Sequence, residues 1–556
     1  MKKRIFIKYQ VVVLVATLFL ASCYKDIGNY DYTELNQITF SGIAENYTID
    51  VGMPLTIKPV MNQTIPGFED DYEYVWLDVG NGSRTWDTIY RERYIDNAVL
   101  SRLAANATHK MIYQVIDTVR GLKYTSDYFF IRVNNDIRQG FMLLLNDGGK
   151  TDLRFINYYT SITGGSGRKL AMRPVISPNL PELGAPIGIA TYVDNYAPMP
   201  GISSSIVYAV SLLTETGLYR LLHNDFSYKK EYNGSYVILG DMSDVHFTGI
   251  YPPVNKTVIS NYVAAMLRDD KGNFMYYQYG AMTMGATFIP WKVGVFCNKY
   301  VNDNVEQRFT PFESFGFQNT FLAVFYDLDS RSFVLKAAGR NYCQKFTSAE
   351  TLFEYNNTPF DPLWVYMRPA DNLVGSNAVY SVVKNRATGA LDLVSFTAAL
   401  ATSVQAKYKL WPQTDEGTTL PGINNAKRFL LNVNGTSTDY RSLFYYATDT
   451  EIHIYDLLDK SFRKVFTAPA GATIVDMKFI VSQTVTPAAN ANNDFANNMI
   501  IVTKGSGPNS TTVGIYTVAP IYGTLDLRWF DNSEGGMNCI WENLPDYVGI
   551  DWKAKS

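Results

Sequence analysis

Four histidines (His109, His223, His246, His453) and four cysteines (Cys23, Cys297, Cys343, Cys539) are the chain's whole stock of imidazole and thiol. They form no His-Glu-x-x-His pair and no Cys-x-x-Cys pair, the spacings that put zinc ligands on one side of one element. His223 and His246 are the pair that neighbouring repeat units could bring together. Scattered histidines flanked by strand residues are far more often core or surface groups than ligands, so no metal is expected. Nucleotide chemistry lacks its usual frame too: no G-x-G-x-x-G follows a strand, and no glycine loop ends in Lys-Ser or Lys-Thr. Gly164-Gly-Ser-Gly167 and Gly505-Ser-Gly507 lack the Gly-x-Ser-x-Gly spacing of a nucleophile elbow. The carboxylates Asp269-Asp270 and Asp327/Asp329 fall in hairpin turns, where an aspartate bonds its own backbone. No catalytic residue, cofactor or metal is therefore expected, and the chain is read as not an enzyme.

Binding chemistry is better supplied. Tyr192, Tyr196, Trp291, Tyr355, Trp364 and Trp411 fall where long connections are expected. Such side chains combine a flat apolar face with a polar tip and stack on sugar rings or peptide side chains. Trp291 and Trp411 lead, because Pro290 and Pro412 mark them as loop residues, followed by Tyr192 and Tyr196. The ligand so implied is an oligosaccharide or oligopeptide.

The first residues carry a different chemistry. Lys2, Lys3, Arg4 and Lys8 precede an eleven-residue apolar run, Val11 to Ala21. A spanning helix needs about 20 apolar residues and a secretory leader about 7–15, so residues 1–22 read as a signal peptide. Leu20-Ala21-Ser22-Cys23 resembles a bacterial lipobox, in which cleavage before the cysteine frees a thiol for lipidation. Acyl chains at Cys23 would hold the protein on a membrane. Residues 23–36 then read as the lipidated tether. Loss of the leader's four basic residues leaves 45 basic against 52 acidic side chains, a net of −7. That balance gives no electrostatic reason to expect nucleic acid. Three cysteines would remain, which argues against a dense disulfide framework. A single Cys297–Cys343 bridge and three buried thiols both stay open.

Position must come from β structure. Charged residues are only 18%, aromatics reach 14%, and 39 Gly with 23 Pro punctuate the chain. Residues 37–136 read as short strands at 8–12-residue intervals, an immunoglobulin-like sandwich with Trp76 at its core. Residues 137–556 repeat an apolar strand, a turn and a second strand seven times. The starts at Gly140, Ile206, Tyr262, Phe321, Ala378, Leu443 and Met499 lie 66, 56, 59, 57, 65 and 56 residues apart. Repeats of this kind are the signature of propeller blades. In the seventh unit, Val475, Met477 and Phe479 are expected on one face of an innermost strand. The leftover strand Tyr547 to Trp552 is expected beside Gly140 to Asn146. The fold class is thus all-β: a sandwich, then a seven-bladed β-propeller closed by its C-terminal strand, with a pair of β-sandwiches joined by irregular hairpins as the competing arrangement.

The leader, Cys23-Tyr-Lys-Asp26, the early sandwich and the hairpin Leu443-Phe-Tyr-Tyr-Ala-Thr448…Ile454-Tyr-Asp456 together resemble the PKD-like family of Bacteroidetes lipoproteins. Tyr113-Gln-Val-Ile-Asp117 with Gly121 and Tyr124 is similar to the closing hairpin of PKD-like domains. The resemblance implies an outer-membrane lipoprotein facing the cell exterior, with Tyr24, Lys25 and Asp26 as its surface-sorting segment. It also implies an accessory, non-catalytic binding component beside a SusC/SusD-type TonB-dependent importer. A surface polymer-degrading propeller enzyme and an adhesin or structural spacer are the alternatives.

Overall fold

The structure, a computed structural model, describes residues 35–553 with breaks, the longest at 158–171, 195–206, 231–243, 252–264, 297–321, 398–407, 432–442 and 480–497. The protein is all-β, with no α-helix among the described residues. It divides into two compact units. The first takes in Met1–Tyr47, Thr56–Ala98 and His109–Phe130, and the second Thr48–Leu55, Val99–Thr108 and Ile131–Ser556.

The N-terminal strands are β1 (Ile38–Ser41), β2 (Asn46–Asp50), β3 (Leu55–Ile57), β4 (Val60–Gln63), β5 (Tyr72–Asp78), β6 (Asp87–Tyr90), β7 (Ile95–Ala98), β8 (Ala107–Asp117), β9 (Leu122–Thr125) and β10 (Phe129–Asn134). One sheet runs β2-β10-β8-β5-β6 with β9 also on β8, and β1-β4 and β3-β7 form two-stranded ribbons. Trp76 is fully buried, as expected, in a stretch of β5 covered on both faces, with Val75 and Leu77 buried beside it. Its indole packs on Tyr113 at 4.5 Å and edge-on to Phe129 at 6.0 Å, and its Nε1 donates to the Glu92 carbonyl at 2.8 Å. A buried indole N–H needs such an acceptor.

Among the described residues seven antiparallel sheets of three or more strands follow. The first holds β11 (Gly140–Asp147), β12 (Lys150–Asn157) and β13 (Met172–Pro174), and the second β14 (Pro186–Asp194), β15 (Val207–Thr214) and β16 (Gly217–Leu222). The third holds β17 (Phe247–Tyr251), β18 (Ala265–Asp269) and β19 (Phe274–Gln278); past the small hairpin β20 (Thr283–Met284) and β21 (Thr287–Phe288) it ends on β22 (Val293–Phe296). The fourth is β23 (Leu322–Asp327), β24 (Ser332–Ala337) and β25 (Cys343–Lys345). The fifth is β26 (Phe360–Asp371), β27 (Gly375–Asn385), β28 (Leu391–Thr397) and β29 (Tyr408–Pro412). The sixth is β30 (Arg428–Leu431), β31 (Leu443–Ala447), β32 (Glu451–Asp456) and β33 (Phe462–Thr467). The seventh holds β34 (Thr473–Phe479), β35 (Asn498–Lys504), β36 (Thr511–Val518) and β37 (Leu525–Leu527); after the hairpin β38 (Trp529–Phe530) and β39 (Met537–Asn538), β40 (Ile540–Leu544) also pairs with β36. The last strand, β41 (Asp546–Lys553), lies antiparallel to β11 from Gly140↔Lys553 to Asn146↔Asp546, the pairing expected from the sequence.

Central strands such as β11 and β31 hold unbroken apolar runs because each of their two faces is covered by a different neighbour. On β31, Phe444 and Tyr446 pack with Trp364, Tyr366 and Tyr380 of the fifth sheet. Leu443, Tyr445 and Ala447 pack instead with Ile474, Met477 and Ile501 of the seventh. The other face of β35, Ile500 and Val502, meets Phe141, Leu143 and Leu145 of the first sheet, whose alternate residues Met142 and Leu144 meet Ile189, Val210 and Leu212 of the second. Phe396 of the fifth sheet meets Phe333 of the fourth edge-on at 5.4 Å. The seventh sheet therefore packs on the first as the fifth packs on the sixth.

The expected face of the seventh unit needs correction. Ile474, Met477 and Phe479 share the side toward the sixth sheet, while Val475 packs with the first-sheet cluster. The cause is a β-bulge: Ile474 pairs Thr503 and Asp476 pairs Val502, leaving Val475 as an extra residue. One inserted residue moves everything on one side of it to the opposite face.

Candidate functional site: the inner strands and their seams

Among the described residues five first-in-sheet strands carry the same irregularity. The extra residue is Ile187 in β14, Thr248 in β17, Leu363 in β26, Val475 in β34 and Val548 in β41. The residue after it is Gly188, Gly249, Trp364, Asp476 and Gly549. At three of these strands that position reads Gly-Ile, and the Gly-Ile units nest in order. A Cβ on Gly549 would stand 3.3 Å from Ile189 Cγ2, and one on Gly188 would stand 2.8 Å from Ile250 Cγ2. The missing side chain is what admits the neighbouring strand.

Polar groups tie the same strands together. Asp476, 8% exposed, accepts the Tyr547 hydroxyl and lies 3.2 Å from Lys478 Nζ, and its other oxygen accepts Met477 N–H at 2.8 Å. Lys478 also donates to the Ile550 carbonyl at 3.3 Å. Asp551 accepts both the N–H and the hydroxyl of Thr191, at 2.5 and 2.9 Å. Arg428 on β30 donates from Nε to the Val475 carbonyl at 3.0 Å. Strands β30, β34, β41 and β14 are thus linked one to the next by side chains that leave Arg428, Lys478, Tyr547 and Asp551 half-buried or exposed. The row offers hydrogen-bond donors and acceptors along adjoining strands.

The site residues expected from the sequence meet a mixed outcome. Cys23, Tyr24, Lys25 and Asp26, together with Tyr196, Trp291, Cys297 and His223, lie outside the described residues. Tyr192 belongs to β14, paired with Ala209, and Trp411 to β29, paired with Leu393. Trp411 is therefore a strand residue and not the loop residue that Pro412 suggested: proline ends the strand here, as it does at sheet edges. Trp364 stacks parallel to Tyr366 at 5.7 Å in the core, and Tyr355 is buried against Phe346 and Phe396. Neither can stack on a ligand, because their aromatic area is spent between sheets. Asp327, fully buried, accepts the Asp329 N–H at 2.9 Å and the Ser330 hydroxyl at 2.5 Å, the turn role expected of it.

Two histidines have carboxylate partners. His109 Nδ1 is 2.6 Å from Asp78, and His453 Nε2 is 3.0 Å from Glu451 while its ring stacks on Tyr446 at 5.2 Å. Hydrogen bonds from Lys464 and then His453 hold the Glu451 carboxyl below its ordinary range. His246 is exposed just ahead of β17. Cys343 and Cys539 are buried. Among the described residues no three His, Cys, Asp or Glu side chains gather as a metal would need, and no helix is long and apolar enough to cross a membrane.

The missed residues are Arg428, Asp476, Lys478, Tyr547, Asp551 and Thr191. Their signal was the Gly-Ile dipeptides at 188–189, 249–250 and 549–550, which mark equivalent strands and so equivalent neighbours. Comparison with known proteins bears on the N-terminal part. The model of the PKD-like family matches residues 23–177, so the chain carries a PKD-like domain at its N terminus. The match runs through β13 of the first sheet. No curated protein matches the chain.

Proposed function

We propose that the protein is a surface lipoprotein that presents a ligand-binding mouth on a seven-bladed β-propeller and serves as a non-catalytic accessory to a SusC/SusD-type nutrient importer. The single observation that carries the binding part is the bulge repeated in β14, β17, β26, β34 and β41, together with the bridged seams that run β30-β34-β41-β14-β17. Equivalent strands that neighbour one another in sequence order, with the last sheet packed on the first, favour blades about an axis. Blades so placed bring their connections to a shared concave mouth, where ligands are commonly held. The polar row on the inner strands would form its wall, and an oligosaccharide or oligopeptide its ligand.

Lipidation at Cys23, sorting by Tyr24, Lys25 and Asp26, and an outer-membrane position facing the exterior rest on the lipobox-like segment. The importer rests on family resemblance. Outer membranes from cells expressing the intact chain and its Cys23→Ala form provide the test. The intact protein should stay with the membrane, be reached by added protease on whole cells, and co-purify with a TonB-dependent barrel. The alanine form should be soluble. An intact chain that binds no glycan or peptide on an array and brings down no barrel would shift the assignment to an adhesin or spacer.

A further inference from the structure

Donor and acceptor counts along the inner-strand row single out Arg428. The two carboxylates there are already engaged: Asp476 by Tyr547, Lys478 and Met477 N–H, and Asp551 by both donors of Thr191. Lys427 is paired with Asp449 at 2.7 Å. Arg428 is different. Its Nε donates to the Val475 carbonyl and its Nη1 to the Lys427 carbonyl, each at 3.0 Å. A guanidinium has five N–H groups, and no carboxylate lies within ion-pair reach of this one among the described residues. The socket exists because of the bulge. Val475 is the extra residue of β34, outside the ladder with β35, so its carbonyl is available to hold a side chain from the next sheet.

We infer that Arg428 is a receptor for a carboxylate on the ligand. A half-buried guanidinium held by two neutral carbonyls keeps its full charge and several donors in a fixed fork. That fork matches a carboxylate in two-point geometry. Neither carbonyl that holds it neutralises it, so an anionic ligand group completes the site. The ligand is thus a carboxylate-bearing oligomer, its acid coming from a uronic acid unit or an acidic peptide side chain. This assignment rests on the binding function proposed above and narrows it.

The test is calorimetric titration of the purified full chain with trigalacturonate, galactotriose, pentaglutamate and pentaglutamine, at low and moderate salt. One acidic oligomer should bind at least tenfold tighter than its neutral counterpart, and the pair that shows this identifies the source of the acid. R428Q should abolish that preference, while R428K, which keeps charge but not the fork, should retain only part of it. Thermal unfolding of each variant checks that the fold survives; should R428Q not fold, R428K alone carries the comparison. Equal binding of acidic and neutral oligomers, or a preference untouched in a folded variant, overturns the assignment and leaves the binding function standing. Binding of none of the four overturns the carboxylate assignment, and a broad glycan and peptide array then decides whether any binding function remains.

Discussion

Gly188 on β14 sits so close to Ile250 on β17 that a Cβ built on the glycine would lie 2.8 Å from the isoleucine Cγ2. Real Cβ atoms do not approach carbon so closely, so this seam between the second and third sheets depends on the absent side chain. Gly188→Ala should force the two strands apart, at the cost of about 1–3 kcal/mol typical of overpacking a close contact. The relevant comparison is a double-mutant cycle with Ile250→Ala, followed by thermal unfolding. Removing Cγ2 should recover much of the glycine variant's loss, giving coupling of roughly 0.5–3 kcal/mol. Strict additivity would mean the two residues do not touch.

The closing strand can be tested by deletion. β41 covers one edge of β11 along seven paired positions, and Ile550 is buried with Phe141 and Leu143. Without residues 546–556 the first sheet would present an open apolar edge, the kind that recruits other chains. The shortened chain should elute as aggregate on gel filtration, where the intact chain elutes as one species. A monodisperse truncated protein would show that β41 is dispensable.

The Tyr547–Asp476 bond ties β41 to β34 of the seventh sheet. Tyr547→Phe keeps the ring but removes a donor from a carboxylate that is only 8% exposed. An under-satisfied buried acceptor costs about 1–3 kcal/mol, more when it is charged. The variant should melt earlier than the parent, and adding Asp476→Asn should produce a much smaller further loss than that change does alone. Should Tyr547→Phe leave the unfolding midpoint unmoved, the bond contributes nothing to closing the seam.

How far the sequence revealed this arrangement depends on the element. Central strands such as Phe141 to Leu145 and Leu443 to Ala447 were legible because burial on both faces leaves an unbroken apolar run. The final strand's partner was legible because the first hairpin lacked a leading strand. Facing was not. Val475 looked like a partner of Met477 and Phe479 under strict alternation, and a single bulge reversed it. Trp411 looked like a loop aromatic because Pro412 was read as a loop marker, and Trp364 was expected in a long connection although it lies within β26. In β26, Pro362 occupies the position just before the bulge, and in β29 Pro412 ends the strand. The polar row was missed because Arg428, Asp476 and Tyr547 lie far apart in sequence, and only strand order makes them neighbours.

Asp117 gives the N-terminal sheet an acid-sensitive joint. It lies at the end of β8, 1% exposed, and burial alone would raise its pKa. Hydrogen bonds outweigh that: Arg120 N–H at 2.8 Å, Arg120 Nη1 at 3.0 Å and Val119 N–H at 3.1 Å all donate to the carboxylate. The result is a pKa below the ordinary aspartate value. A folded-state pKa below the unfolded one gives stability that is complete above the unfolded value, about 3.9. It is lost as pH falls through the lower folded value, because the unfolded chain then takes up the proton first. Asp117→Asn cannot titrate, so it should be less stable than the parent near pH 7 and converge on it below about pH 4. Fluorescence of the buried Trp76, followed through urea unfolding from pH 7 to pH 3, reads the difference. Parallel pH profiles for the two proteins would show that this carboxylate does not drive the acid loss.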